Sequence, residues 1–152
     1  MPATRRPQRS GGWIHFQIAT RSRRIPRPAK ILGWARAARR SALEVTIRIV
    51  AEREGRRICQ AYRGGDHATN VLTFCYGRER GRLSGDIVLC APVIEREARE
   101  QGKAADAHYA HLTVHGMLHL QGLDHRNRRE AERMEAREKT ILAGLGYPDP
   151  YE

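Results

Sequence analysis

The stretch "HGMLHLQGLDH", from His115 to His125, places three histidines at relative positions 0, +4 and +10, with Gly122 at +7. No other feature of the chain restricts the fold as much. Residues four apart share one face of an α-helix, so His115 and His119 can point at a common atom. Gly122 suits a helix C-terminus, because glycine reaches φ > 0 without steric cost. The turn it permits brings His125 back toward the other two. Three imidazoles converging from one side leave the opposite side open, which is the layout of a catalytic zinc site with water in the fourth position. The fold must therefore present one helix end, and the turn after it, to a cleft. The zinc-protease helix reads H-E-x-x-H and its glutamate is the general base. Position 116 is glycine instead, which disfavours a peptidase.

Charge is distributed unevenly. Residues 1–40 hold ten arginines and Lys30 with no acidic residue, so the net charge of +11 resides entirely in that block. The remainder balances 17 basic against 17 acidic residues. A basic block of this kind reads as a nucleic-acid surface. The plainer alternative is a solvated, arginine-biased surface, since lysine occurs only at Lys30, Lys103 and Lys139. A length of 152 residues suits one domain. No apolar run approaches the length needed to cross a bilayer, and the N-terminus lacks the apolar core of a secretory signal. Cys59, Cys75 and Cys90 form no C-x-x-C and cannot all pair, which fits a reducing, cytoplasmic setting with no membrane association.

Along the chain, residues 1–12 read as a basic flexible arm and residues 13–152 as the folded domain. "WIHFQIAT" alternates Ile14, Phe16 and Ile18 against His15 and Gln17, a half-buried strand. "AKILGWARAARR" reads as a helix with Ile31, Leu32 and Ala35 inward. "LEVTIRIV" alternates again on Val45, Ile47 and Ile49. "NVLTF" and "GDIVLC" read as central strands. Pro92 opens a helix that Gly102 stops. Asp106 is the expected N-cap of the histidine helix, on which His108, His111, His115 and His119 form one stripe beside an apolar one. Asn127 and Glu130 resemble a capping box for a final helix with Ala131, Met134, Ile141 and Leu142 inward. Strands first and helices later predict an α+β single domain: a small mixed sheet packed with helices, the metal-binding helix over a cleft.

"HGMLHLQGLDH" resembles the H-G-x-L-H-L-x-G-x-D-H signature of the YbeY family of bacterial endoribonucleases. "YRGGDHATNVLTF", "SGDIVLCAPVIEREAREQG" and "LGYPDPY" resemble further stretches of that family, in the same order. The likeness spans roughly residues 14–152. It implies a single-strand-specific, zinc-dependent endoribonuclease acting on ribosomal RNA precursors, in 16S rRNA 3′ end maturation and ribosome quality control. It implies one Zn²⁺ per chain held by His115, His119 and His125, with Arg63 a functional arginine in the cleft. The implied partner is ribosomal RNA or the ribosome, with a ribosomal protein or GTPase as a further candidate; oligomeric state is left open. Thr73, Cys75 and Ser84 depart from the usual family residues, and none touches the metal motif. Residue by residue, Arg63 suits bidentate contact with a phosphate, against a structural pairing with Asp66. Asp124 is a candidate to orient an imidazole, against a simple turn role. His111, one turn before His115, is a candidate ligand or outer partner, against the preferred reading of an ordinary polar residue at the site edge. Two other functions remain: a metallohydrolase for another bond, and a non-catalytic ribosome assembly factor with a bound metal.

Overall fold

A computed structural model describes residues 13–63 and 68–152. Four strands form one mixed sheet in the order β1-β2-β4-β3. They are β1 (Ile14–Ala19), β2 (Leu43–Val50), β3 (Val71–Glu79) and β4 (Arg82–Cys90). The helices are α1 (Pro28–Ala38), α2 (Glu52–Arg63), α3 (Ala91–Glu100), α4 (Ala105–Leu120) and α5 (Arg128–Gly144). Strand β2 runs parallel to β1 and β4, while β3 and β4 pair antiparallel. Parallel neighbours need a crossover. Helix α1 supplies one between β1 and β2; α2 and β3 lie within the other, between β2 and β4. The expected α+β domain with a small mixed sheet is present.

Side chains alternate across each strand, so the sheet has two distinct faces. Val45, Ile47 and Ile49 of β2, with Leu83, Ile87 and Leu89 of β4, meet α1, α4 and α5 in the main core. On the other face Val50, Leu72, Val88 and Cys90 pack with Ile58 and Cys59 of α2 in a smaller cluster. Helix α4 is the central element, touching α1, α3, α5, β3 and β4. Ten of its sixteen residues are buried, so apolar contact surrounds it rather than forming one stripe. Met117 and Leu118 are fully buried, each contributing about 1.5–3 kcal/mol on area grounds.

Several local expectations are corrected. Helices α1 and α2 interleave with the strands, and α2 answers to no assignment made from sequence; its only apolar neighbours in the cluster are Ile58 and Cys59, too few to show a period. Strand β3 is an edge strand, not a central one; β4 is the only strand paired with it. In β1, Ile14 and Phe16 reach the core, but Ile18 is 48% exposed. His15, expected outward, is buried with Nε2 3.0 Å from Glu44 Oε1. In α1 it is Trp34 and Ala38 that join Ile31 and Ala35 inside, with Leu32 only half-buried. The N-cap of α4 is Ala104, and Asp106 lies in the first turn, 2.5 Å from Lys30 Nζ. At α5, Asn127 Oδ1 accepts from Glu130 N at 2.9 Å as expected, but Glu130 Oε2 reaches back to Arg126 N instead of Asn127 N.

Candidate metal centre and groove

The C-terminal half of α4 carries His115 and His119 to one edge of the sheet. Leu120 closes the helix, Gly122 takes φ +104 in the turn, and His125 returns toward the helix as its spacing predicts. Ring centroids stand 5.6 Å apart for His115 and His125, 6.0 Å for His119 and His125, and 6.4 Å for His115 and His119. The three rings open on a groove of about 410 Å³ that Tyr62, Val71, Leu72, Thr73 and Phe74 also line. This is the expected cleft, with α2 and β3 as its far wall.

Gly116 explains how the helix comes so close. A Cβ there would sit 3.2 Å from Ile87 Cγ2 and 3.5 Å from Thr73 Cγ2. Glycine lets α4 settle onto β3 and β4, and that approach puts Thr73 Oγ1 2.7 Å from His119 Nδ1. The position a peptidase would use for its glutamate points into the sheet. No base could reach the groove from it.

Each imidazole meets a different neighbour. His115 Nδ1 lies 2.5 Å from Glu138 Oε1. Glu138 comes from the middle of α5 and is fully buried. Its other oxygen, Oε2, accepts from the Tyr151 hydroxyl and lies 3.4 Å from His111 Nε2. Burial alone would raise the Glu138 carboxyl, yet bonds from His111, His115 and Tyr151 outweigh it and hold the group down at about 2. Asp124 sits between the other two rings, with Oδ1 3.7 Å from His119 Nε2 and 3.6 Å from His125 Nδ1. It also accepts from His125 N at 2.8 Å and from Arg126 Nε at 2.7 Å. The His125 amide first, and then Arg126, keep its carboxyl below the usual range. Burial lowers the pKa of His119, which favours the neutral form a metal ligand requires.

Two donor sets therefore share His115. His111, His115 and Glu138 place ligand atoms within 4.8 Å of one another and could hold a metal ion. His115, His119 and His125 form the set that faces the groove. The donor chemistry of the second set suits a three-histidine centre, because Glu138 and Thr73 occupy Nδ1 of His115 and His119 and leave each Nε2 turned elsewhere.

Of the residues singled out from sequence, His111, His115, His119, Asp124 and His125 come together here. Arg63 is the last residue of α2, beside the groove-lining Tyr62, but its side chain and residues 64–67, including Asp66, lie outside the described residues. So does the arm at residues 1–12. Sequence reasoning passed over Glu138 and Tyr151, and its expectation that Thr73 stays clear of the metal motif is corrected by the contact with His119. For Glu138 a signal existed: Met134, Glu138 and Leu142 recur at i, i+4 and i+8, a glutamate on the buried stripe of α5.

Fold and site together define an α+β protein with a histidine cluster over an open groove, in which His111, His115 and Glu138 could hold a metal ion. The family model described as Endoribonuclease YbeY matches residues 22–146. The relative named Endoribonuclease YbeY from Azoarcus sp. (strain BH72) is 59% identical over 133 residues, 83% of this chain; the match spans about half, 53%, of that longer relative. The relative of the same name from Aromatoleum aromaticum is 60% identical over 84% of this chain and 82% of its own length. That from Methylibium petroleiphilum is 51% identical over 97% and 99%. The solution structure of TM1509 from Thermotoga maritima shares the fold, with a TM-score of 0.54 at 22% identity, covering 90% of this chain and 99% of that one. The chain belongs to the Endoribonuclease YbeY family.

Proposed function

We propose that the protein is a metal-dependent endoribonuclease that cuts single-stranded segments of ribosomal RNA precursors in the cytoplasm. The observation that carries this reading is family membership, with relatives named for endoribonuclease activity over most of the chain. The groove supports it. His115, His119 and His125 hold one zinc ion in this reading, and Asp124 orients the loop that carries His125. Bound there, zinc supplies Lewis acidity toward a phosphate oxygen and an activated water near neutral pH. Thr73 fixes the ring of His119. Tyr62 and Phe74, packed edge to face with centroids 5.0 Å apart, give the groove an aromatic wall. An unpaired base can stack on such a wall, whereas a paired one is already stacked within its helix. Arg63, at the end of α2, neutralises phosphate charge in the transition state. The basic N-terminal block supplies counter-charge for the RNA backbone. No described helix is long and apolar enough to cross a membrane. Peptide hydrolysis gains no support, since the site of its usual base faces Ile87.

The test compares cleavage of single-stranded and fully paired RNA by metal-stripped and zinc-reloaded protein. Cutting of the single strand alone, restored by zinc, is the expected result. Equal activity without metal would sink the metal role, and no RNA cleavage under any condition would leave the assembly-factor reading. In the same assay Arg63→Ala should lower kcat more than it raises KM. The lost contact is worth about 2–4 kcal/mol, or roughly 30- to 1,000-fold. Arg63→Lys should restore little, because an ammonium cannot reproduce a two-pronged contact.

A further inference from the structure

The segment after α5 is moored at several points. Tyr147 packs edge-on against Trp34 with centroids 5.9 Å apart. Lys103 Nζ donates to Pro150 O at 2.9 Å, and Lys139 Nζ lies 3.5 Å from Asp149 Oδ2. Asp149 Oδ1 in turn accepts from Tyr151 N at 2.8 Å. These contacts aim one group inward. The Tyr151 side chain is 44% exposed as a whole, yet its hydroxyl donates to the fully buried Glu138. Glu138 is the acceptor for His115 Nδ1 at 2.5 Å. A carboxylate only accepts, so the imidazole proton must sit on Nδ1.

We propose that Tyr151 and Glu138 form a clasp that holds His115 in the tautomer with its proton on Nδ1 and Nε2 left bare for a ligand. The segment after α5 thereby becomes a positioning element of the groove, although it does not line it. Free imidazole has two tautomers, and only one leaves Nε2 able to coordinate. The partner of the remote nitrogen decides between them. A rival reading puts a cation among His111, His115 and Glu138. The 2.5 Å between His115 Nδ1 and Glu138 Oε1 opposes it. Ligand atoms of one tetrahedral zinc, each about 2.0–2.2 Å from the metal, stand roughly 3.3–3.6 Å apart, so 2.5 Å is the spacing of a hydrogen bond rather than of two co-ligands. His111 is a lateral brace, with Nε2 3.3 Å from the Tyr151 hydroxyl oxygen.

The proposal rests on the nuclease reading only for its zinc arm, and its test separates the two. Histidine-labelled, metal-stripped protein is examined by two-bond ¹⁵N–¹H spectra at a pH well above the histidine range. Zinc affinity is measured by competition with a chelating dye. Wild type should show His115 with its proton on Nδ1. Glu138→Leu removes the acceptor without leaving a buried charge; it should move His115 toward the Nε2–H form and weaken zinc binding roughly 10- to 100-fold. Tyr151→Phe removes one hydroxyl and guards against misfolding of the first variant. It should weaken zinc binding several-fold, with the melting temperature almost unchanged. An unchanged His115 tautomer in Glu138→Leu, or an Nε2–H form already in wild type, overturns the clasp. So does Tyr151→Phe with wild-type affinity. A second zinc ion per chain that disappears in Glu138→Leu overturns it in favour of Glu138 as a ligand. If wild type binds no zinc, the metal reading fails and the spectra alone decide the clasp.

Discussion

Helix α4 carries two histidine regions that look alike in sequence and differ in structure. His108, near its start, is 4% exposed, with Nε2 2.9 Å from Glu97 Oε1, an oxygen that also accepts from Asn70 Nδ2 at 2.9 Å. His115 and His119, near its end, meet His125 at the groove. The spacing is of the same helical kind in both, and in both a carboxylate or hydroxyl engages one ring nitrogen. The difference lies in the second nitrogen. His108 Nδ1 is shut inside without a partner among the described residues, while at the groove the turn at Gly122 swings the chain aside and brings a third imidazole. Histidine spacing thus tells which rings share a face. Whether a ring becomes a strut or a ligand depends on what the next two elements place against it.

The sharpest break of this comparison is a matched pair of alanine variants. His119→Ala should abolish stoichiometric metal binding, and RNA cleavage with it, while His108→Ala should retain metal; elemental analysis of both proteins checks this. Metal loss in His108→Ala alone would reverse the assignment of the two regions. Next in size is Gly116→Glu, which writes the peptidase motif into the open region. Its side chain would press on Ile87, so the protein should lose about 3 kcal/mol or more from overpacking and a buried charge. Denaturant melts measure the loss, and no peptidase activity should appear. Smaller again is the stability cost of His108→Ala. Glu97 loses a donor there, worth about 1–3 kcal/mol, whereas His125→Ala in metal-free protein should cost much less because that ring is 57% exposed.

The smallest effect is on pH dependence. Burial, partly offset by Glu97, lowers the pKa of His108 below 6.5, with His111 and Lys103 pushing the same way as burial. Below 6.5 the unfolded chain therefore takes up a proton that the folded one resists. Stability should be full above that value and decline as pH falls toward the lower folded value. Metal-free melts of wild type and His108→Gln should show a shallower decline in the variant. Parallel curves would mean that other groups carry the effect.

Much of this could be read from sequence. Periodicity located β2, α1 and α5 because each presents a repeated apolar face to the core, and a run of apolar, β-favouring residues located β4. The 0, +4, +10 spacing located the histidine cluster because helix geometry and one glycine determine where three rings can go. What escaped depends on distant elements. Thr73 reaches His119 only because β3 lies beneath α4, and β3 is an edge strand whose place depends on the whole sheet order. Glu138 looks like one more charge on a charged helix until α5 is docked. Alternation alone points His15 outward, and its partner Glu44 lies on the neighbouring strand, out of reach of local pattern.

The strand order also bears on how the chain reaches this state. Only β3 and β4 are joined by a tight turn, with Glu79 facing Arg82. Ile14 must find Val45 and Leu43 must find Leu83, each across a long loop of chain. Loop-closure entropy is spent before such pairs return any enthalpy. The β3–β4 hairpin and the helices beside it should therefore order early, and β1, held to the sheet along one edge only, last. Read in reverse, β1 is where the molecule opens first. Its amides should exchange with solvent faster than those of β4, while the histidine cage stays closed.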